Sequence, residues 1–327
     1  MATSGSWDFG QTGTQLIQAV YEDLGVVLPG ATISAARSTL ALDRLNKIIK
    51  QYQGTSDGSP GVKVHTRQNV TLALAKGQQS YLIGPGSSDA RASTAMGRTT
   101  LSADEASSQT TLSITSNTDT TTYPGTTITM TNGDIIGIQL DDGSIHWTTI
   151  SGTPASTADI ATGLASAAAS GNYVWWFTSR AQRFPTCEAA VLRNASRTDI
   201  ELEVYKDVRQ YALGIADKYA DGAPYAILVE PLRTQTRITL SSQPTDVTDQ
   251  IVLTVLYPAE DMDAAANDLA FPQEAIRFIH YELMFALAFP MRVQWTTEYE
   301  KARTEARTLW FGLNPENTTV YFQPGVD

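Results

Sequence analysis

The residues that could serve as nucleophiles, metal ligands or acid–base catalysts are few and scattered. The chain has one cysteine, Cys187, and three histidines, His65, His146 and His280. No histidine stands in a His-Glu-x-x-His array, and a single thiol forms neither an internal disulfide nor a multi-cysteine zinc site. Because scattered histidines are usually structural, we expect these three to serve the fold rather than a metal or a catalytic triad.

One short pattern has the form of a nucleophile elbow. Residues Gly54 to Gly58, with Ser56 at the centre, match Gly-x-Ser-x-Gly. An elbow needs a strand before it and a helix after it, whereas here a predicted helix precedes and a predicted strand follows, so a loop is favoured. The sequence also has no Walker loop and no Gly-x-Gly-x-x-Gly motif. We therefore predict no catalytic residues, no cofactor and no enzymatic activity.

Acidic residues offer two weaker possibilities. Asp134, Asp141 and Asp142 could hold a calcium ion, but they lack the alternating ligands and terminal glutamate of an EF-hand, so a solvated hairpin tip is favoured. Glu201 and Glu203 lie on one face of a predicted strand, which suits acid–base chemistry but is equally typical of an exposed sheet face. We predict no metal site.

Aromatic residues give the best indication of a binding function. Trp147 and the run Trp175-Trp176-Phe177 could form a platform on which sugar rings stack. Because these residues fall on neighbouring predicted strands, at least half of the rings must fill the core of their own small domain. The core interpretation is therefore favoured over the binding platform.

Length and charge limit the classes of function. The chain has 327 residues, which suggests two structural units or one domain with an insertion, and its formal net charge is −11. An acidic protein repels phosphate backbones, so a general nucleic-acid-binding protein is not expected. The longest apolar runs, such as Leu283 to Phe289, are far shorter than the ~20 residues of a membrane span. We expect a soluble protein made in a reducing cytoplasm, with no membrane partner.

Helices are predicted at both ends of the chain. Apolar residues recur at helical spacing from Leu16 to Leu24, and a second helix begins near Thr32 or Ser34 and ends at Gly54, so the two form a hairpin. Near the C-terminus, Pro272 suits the first position of a third helix, which Pro290 ends. A fourth helix follows, with capping-box spacing between Thr297 and Glu300, and it ends at Gly312.

The middle of the chain is predicted to be β-rich. Alternating residues predict a strand from Val62 to Leu74, a turn at Lys76-Gly77 and a returning strand from Ser80 to Ile83. Tyr205 to Ala216 fits a helical turn or two. Further strands are predicted at Phe184 to Leu192, Ile200 to Val204, Tyr225 to Val229, Thr236 to Leu240 and Gln250 to Tyr257.

An insertion is predicted from the sharp change in composition between Arg98 and Ser179. This segment holds 30 serines and threonines and seven acids, and Arg98 is its one basic residue. Asp141-Asp142-Gly143 joins two predicted strands as a hairpin, and Tyr173 to Thr178 forms another strand. We predict that this small β-domain is separable, so that the remainder folds when a short linker replaces it.

The predicted fold class is α+β: a helical bundle from the N- and C-terminal helices, packed with a β-rich core that carries the inserted β-domain. The predicted divisions are 1–60 for the N-terminal helical hairpin, 61–97 and 180–260 for the β-rich core, 98–179 for the insert, 261–312 for the C-terminal helices and 313–327 for an extended tail.

The order of these pieces carries a resemblance that no single motif does. The pieces are Ala41 to Asn46, Tyr52, Val70 to Leu74, Lys76-Gly77, Ser80 to Gly84, Phe184-Pro185, Tyr205-Lys206, Lys218, Gly222 to Tyr225, Glu230-Pro231, Leu256 to Pro258 and Phe271-Pro272. In this order they resemble the head-to-tail adaptor proteins of short-tailed phages, also called tail accessory or packaged-DNA-stabilising factors. The resemblance covers residues 10 to 90 and 180 to 312, about two thirds of the chain; the insert and the longer tail depart from it.

The resemblance implies a structural virion protein at the head–tail junction, made and assembled in the cytoplasm of a bacterial host. About twelve copies would form a ring under the portal, extend the DNA channel, help to retain packaged DNA and offer a docking surface to the tail hub or nozzle. Double-stranded DNA would pass through without specific binding, which suits the acidic charge. Free subunits would be largely monomeric, because like charges repel and no heptad offers an interface, so the portal would template the ring.

Two further points concern partners. The rival function is a carbohydrate-binding or hydrolytic tail protein that uses the aromatic and acidic residues of the insert. For the adaptor, the tail from 313 to 327 is the best candidate for the portal contact, because an apolar terminal strip is a liability on a free monomer. Its docking residues would be Leu313, Val320, Tyr321 and Phe322, although the strip could instead fold back onto its own sheet.

Overall fold

A computed structural model describes residues 10–53, 65–86, 91–120, 126–217, 219–258, 260–269, 271 and 273–312. Residue contacts divide the chain into two units: Met1–His65 with Pro258–Asp327, here called the helical unit, and Thr66–Tyr257, here called the β unit. The described residues combine five helices with a large, mostly β core, which confirms an α+β fold class. The helices are α1 (Gly13–Asp23), α2 (Ala35–Gln53), α3 (Val208–Gly214), α4 (Gln273–Ala288) and α5 (Thr297–Gly312).

Four of these helices, α1, α2, α4 and α5, share one apolar core in the helical unit. Thr12 begins α1 with a capping box, in which its hydroxyl accepts from the Gln15 amide while the Gln15 side chain accepts from the Thr12 amide. The capping box predicted at the start of α5 uses Thr297, whereas the residue that caps the helix is Thr296. Thr296 accepts from the Tyr299 amide at 3.4 Å, and the Glu300 carboxylate accepts from the Trp295 indole instead. The shared core is formed by buried residues that include Leu16, Tyr21, Leu45, Ile49, Phe278, Leu283, Leu287 and Trp310.

The β unit contains sixteen strands among the described residues. In chain order these are β1 (His65–Ala73), β2 (Ser80–Ile83), β3 (Arg91–Ser93), β4 (Gly97–Thr100), β5 (Thr111–Ser113), β6 (Thr118–Asp119), β7 (Ile128–Thr129), β8 (Ile135–Gln139), β9 (Ile145–Thr149), β10 (Thr157–Asp159), β11 (Tyr173–Phe177), β12 (Thr186–Arg193), β13 (Asp199–Tyr205), β14 (Ala226–Pro231), β15 (Thr236–Leu240) and β16 (Gln250–Pro258).

The main sheet has eight strands in the order β2-β15-β14-β13-β12-β16-β1-β3. The predicted return of β2 against β1 is wrong, because β1 lies between β16 and β3 while β2 pairs with β15. The turn at Gly77 exists, with φ of +72°, but its amide donates to Pro244 and leads the chain away from β1. Alternating residues indicate which face of a strand is buried without indicating its neighbour.

The segment that was predicted as an insert forms its own four-stranded sheet, ordered β4-β11-β8-β9. The predicted hairpin is confirmed: β8 pairs with β9 around Gly143, whose φ is +78°. Strand β11 is buried on both faces. Trp176 fills the core of the segment, whereas Trp175 and Phe177 pack with Ala73 and Met96, which precede it in the chain.

Two glycines make room for the large aromatic rings of this sheet. Gly97 lies opposite Trp176 in the register of β4 and β11, and the indole of Trp176 covers the place that a Cβ atom would occupy. Gly137 is paired with both Trp175 and Trp147, and the ring of Trp147 covers it in the same way. The glycines are thus required by close packing rather than by backbone conformation.

We predict that Gly97→Ala lowers the free energy of unfolding by about 1–3 kcal/mol, because a methyl group there overlaps the Trp176 indole and overpacks the core. Gly86→Ala is the matched control, since a Cβ at Gly86 meets no atom within 4 Å and should change stability little. Urea denaturation followed by tryptophan fluorescence measures both. Equal effects of the two variants would show that the contact is unimportant.

Candidate interaction surfaces

Helix α3 is held against the main sheet by one buried side chain. Asp207 begins the helix by accepting from the Arg209 amide at 2.6 Å. Tyr211 is buried beside Ile215, Ala226 and Leu228, and its hydroxyl donates to the Leu240 carbonyl at 2.6 Å. A helix of two turns is thereby fixed in position although it offers little apolar surface of its own.

Several large apolar side chains in this part of the chain are exposed. Among the described residues nine large apolar side chains are largely exposed, and five of the nine lie between residues 200 and 225. We call these five the α3 surface: Ile200, Val208, Leu213, Tyr219 and Tyr225. Leu213 is 78% exposed. Exposed apolar clusters are typical of surfaces that a partner covers.

A second apolar site lies where α4 ends. Phe289 is 91% exposed, and it lines an open depression together with the residues that follow it, Pro290, Arg292, Val293 and Gln294. Phe285, one turn earlier on α4, packs edge-on against Trp295 with ring centroids 5.2 Å apart. The predicted end of the helix at Pro290 is confirmed to within two residues.

A buried charge network joins α2, α4 and α5. Glu282 is buried in α4 and receives hydrogen bonds from Nε and Nη2 of Arg303 at 3.0 and 2.9 Å. The Tyr52 hydroxyl donates to the same carboxylate at 2.9 Å, and Arg307 lies 3.2 Å from it. Burial, and then the nearby Glu282 carboxylate, raise the pKa of Tyr52, so this hydroxyl stays protonated and can donate.

This network orients the helix that leads into the tail. Arg303 also lies over the ring of Phe285, 3.8 Å from its centroid, and Arg307 donates to the Tyr52 hydroxyl at 2.7 Å. Helix α5 is therefore fixed to its neighbours by directional contacts as well as by apolar packing. The docking residues predicted beyond it, Leu313, Val320, Tyr321 and Phe322, lie outside the described residues, as does the predicted loop at 54–58.

His280, His146 and Cys187 each have their own surroundings. His280 on α4 lies 2.8 Å from Asp23 at the end of α1, and burial lowers its pKa although Asp23 opposes this. His146 contacts the Thr162 carbonyl at 3.2 Å, and the side chain of His65 lies outside the described residues. Cys187 is buried in the main sheet, where burial raises its pKa to about 12, so its thiol is unreactive at neutral pH.

The carboxylates that were considered as calcium ligands accept hydrogen bonds within turns and loops instead. Asp134 accepts from the amide and hydroxyl of Thr131, and Asp142 accepts from those of Ser144. Asp141 accepts from the Ala169 amide at 2.8 Å. Across the described part of the chain, no group of three His, Cys, Asp or Glu side chains is placed to hold a metal ion.

The core interpretation of the aromatic run is confirmed. Trp175, Trp176 and Phe177 are completely buried, and Trp147 is half-buried against Phe177. Stacking on a sugar needs an exposed ring face, so the three fully buried rings cannot provide a platform. Glu201 and Glu203 are exposed on β13, as expected of a solvated sheet face.

Sequence reasoning missed the network around Glu282. One signal was present: Glu282 stands three residues after Ile279 and next to Leu283, within the apolar side of α4. A carboxylate in such a position needs a cationic partner, and Arg303 and Arg307 are spaced one turn apart on the next helix. The partners could not be assigned without knowing which helices are neighbours.

Two comparisons with known proteins identify no relative of this chain. No protein-family model matches the chain, and a search of curated proteins finds no significant match. Among the described helices, none is long and apolar enough to cross a membrane.

We predict that Glu282→Gln lowers the free energy of unfolding by about 3 kcal/mol, because Arg303, with 12% of its side chain exposed, loses its buried counter-charge and keeps only the longer contact with Glu300. Glu305→Gln, an exposed change of the same kind on α5, should stay within about 0.5 kcal/mol of the parent protein. Denaturant unfolding of both variants measures the difference. A Glu282→Gln variant as stable as Glu305→Gln would contradict a stabilising role for the network.

Proposed function

We propose that this protein is the head-to-tail adaptor of a short-tailed phage, a structural subunit whose copies form a ring between the portal and the tail hub or nozzle. The ring extends the DNA channel and helps to retain packaged DNA. In this proposal α1, α2, α4 and α5 make up the helical bundle of the adaptor, and the β unit carries the contact between neighbouring copies.

The α3 surface is the observation that supports this function best. The β unit already has its own buried core, so Leu213 and its neighbours are not needed to fold it. Large apolar side chains left outside such a core favour association. A subunit that assembles into a ring would bury this surface against a neighbouring copy.

The charge pattern is compatible with a channel protein. The segment 98–179 carries seven acids against the single Arg98, and none of the described residues in it is a largely exposed large apolar side chain. An acidic, hydroxyl-rich surface repels DNA phosphates and stays hydrated. The aromatic run was the main support for the rival carbohydrate-binding function, and its rings are buried.

We predict that Leu213→Lys prevents ring assembly on the portal. The substitution places an ammonium group in the proposed apolar contact, where it would lose its hydration without gaining a counter-charge. Leu28→Lys is the matched control, because Leu28 is 79% exposed in the helical unit. Negative-stain images and light scattering of portal mixed with each variant report assembly.

Rings should form with Leu28→Lys and fail with Leu213→Lys, while both variants keep the parental thermal midpoint. Normal rings from Leu213→Lys would move the subunit contact away from α3. A stable ring without portal at physiological salt would contradict templating by the portal.

We predict separately that deleting residues 313–327 abolishes portal binding and leaves the thermal midpoint nearly unchanged. In this proposal Tyr321 and Phe322 anchor the tail, each contributing about 2 kcal/mol or more to binding. A pull-down with portal and a thermal melt of the truncated protein test this. A truncated protein that unfolds, or one that binds portal undiminished, would contradict the role of the tail.

A further inference from the structure

A ring of identical subunits needs two different contact surfaces on each copy. In a head-to-tail ring one surface of each subunit meets another surface of the next, whereas a surface that meets itself gives a dimer. The α3 surface supplies only one of the two. The other four largely exposed large apolar side chains among the described residues all belong to the helical unit: Leu28, Phe285, Phe289 and Leu309.

Phe285 and Phe289 stand one turn apart where α4 ends, and Phe289 lines the open depression there. The backbone of this depression is fixed, because the Arg292 amide donates to the Phe289 carbonyl at 3.1 Å and the Val293 amide donates to the Ala288 carbonyl at 2.9 Å. Its volume of about 510 Å³ lies within the ~300–1,000 Å³ of pockets that hold a whole small ligand. A preformed depression of this size can receive more than one side chain of a partner.

The depression and the α3 surface carry opposite charges. Arg292 is the one charged residue that lines the depression, and it is also the one charged residue in the stretch 285–295. The stretch 200–225, which contains the α3 surface, has five acids against three bases. All five acids are exposed: Glu201, Glu203, Asp207, Asp217 and Asp221. Opposite charges on two apolar surfaces favour their association with each other.

Asp217 is the acid best placed to meet Arg292. It stands four residues after Leu213 and two before Tyr219, and its carboxylate accepts from the Tyr219 amide at 2.9 Å. A carboxylate has about four acceptor positions, so one hydrogen bond leaves room for a guanidinium group. Neither Asp217 nor Arg292 forms a salt bridge with another residue that the structure describes.

We propose that the depression at the end of α4 receives the α3 surface of the neighbouring copy, an inference that rests on the proposed function. Leu213 of one copy packs against Phe289 and Val293 of the next, and Asp217 pairs with Arg292. The apolar side chains supply most of the affinity of such a contact. The ion pair at its edge fixes the orientation and disfavours wrong pairings, because a like charge in either position is repelled.

The experiment reverses the two charges separately and together in the full chain and counts rings on the portal in negative-stain images. Arg292→Asp and Asp217→Arg should each raise the subunit concentration needed for rings about tenfold or more, and the double variant should return to within about threefold of the parent protein. Arg277→Asp, an exposed change on α4 outside the depression, is the matched control. Aspartate accepts the φ of +56° at position 292, so the thermal midpoint should stay parental.

The outcomes separate this inference from the proposed function. If the parent protein forms rings and Arg292→Asp forms them as readily as Arg277→Asp, this inference alone is overturned. A double variant that assembles no better than the single variants also overturns it, whereas a parent protein without rings overturns the proposed function and this inference together. A pull-down at one subunit per portal tests the other occupant: loss of binding by Arg292→Asp there would assign the depression to the portal and overturn the contact between copies.

Discussion

The β unit depends on the burial of β11 on both of its faces. A strand whose successive side chains are all covered needs one core on each side. Trp176 packs into the core of the four-stranded sheet, and Trp175 packs towards Ala73 and Met96, outside the segment 98–179. The four-stranded sheet is therefore attached to the chain around it by apolar packing, and a linker that replaced it would leave Ala73 and Met96 without that cover.

The same constraint explains where polar and charged groups are found. Because Trp175 excludes water from the contact, arginines can stand only at its rim, where Arg98 and Arg193 keep part of their guanidinium groups in solvent. Asp119 is buried beside β4 and accepts a hydrogen bond from the Arg98 backbone amide. Arg98 belongs to the segment 98–179 and Arg193 to the main sheet, so both sheets supply a cationic group beside this contact.

The sequence alone was enough to predict the elements that depend on nearby residues. The first helix, the hairpin at Gly143 and strand β15 each depend on apolar spacing, turns or alternation within a few residues, whereas the Thr12 cap of that helix was not predicted. Pairings between distant strands could not be predicted from the sequence, because the residue pattern of β2 does not show whether its neighbour is β1 or β15. The burial of Glu282 was likewise hidden, since its partners come from α2 and α5.

The two units place their arginines in different surroundings. In the helical unit Arg303 is almost enclosed, with 12% of its side chain exposed, and is neutralised by Glu282, so it stabilises the fold and is not accessible to a ligand. In the β unit Arg193 pairs with the partly exposed Asp199, and Arg197, itself partly exposed, lies 3.8 Å from Asp119. Exposed ion pairs contribute less to the free energy of unfolding than buried ones, so the charge network of the helical unit matters more for stability than the arginines of the β unit do.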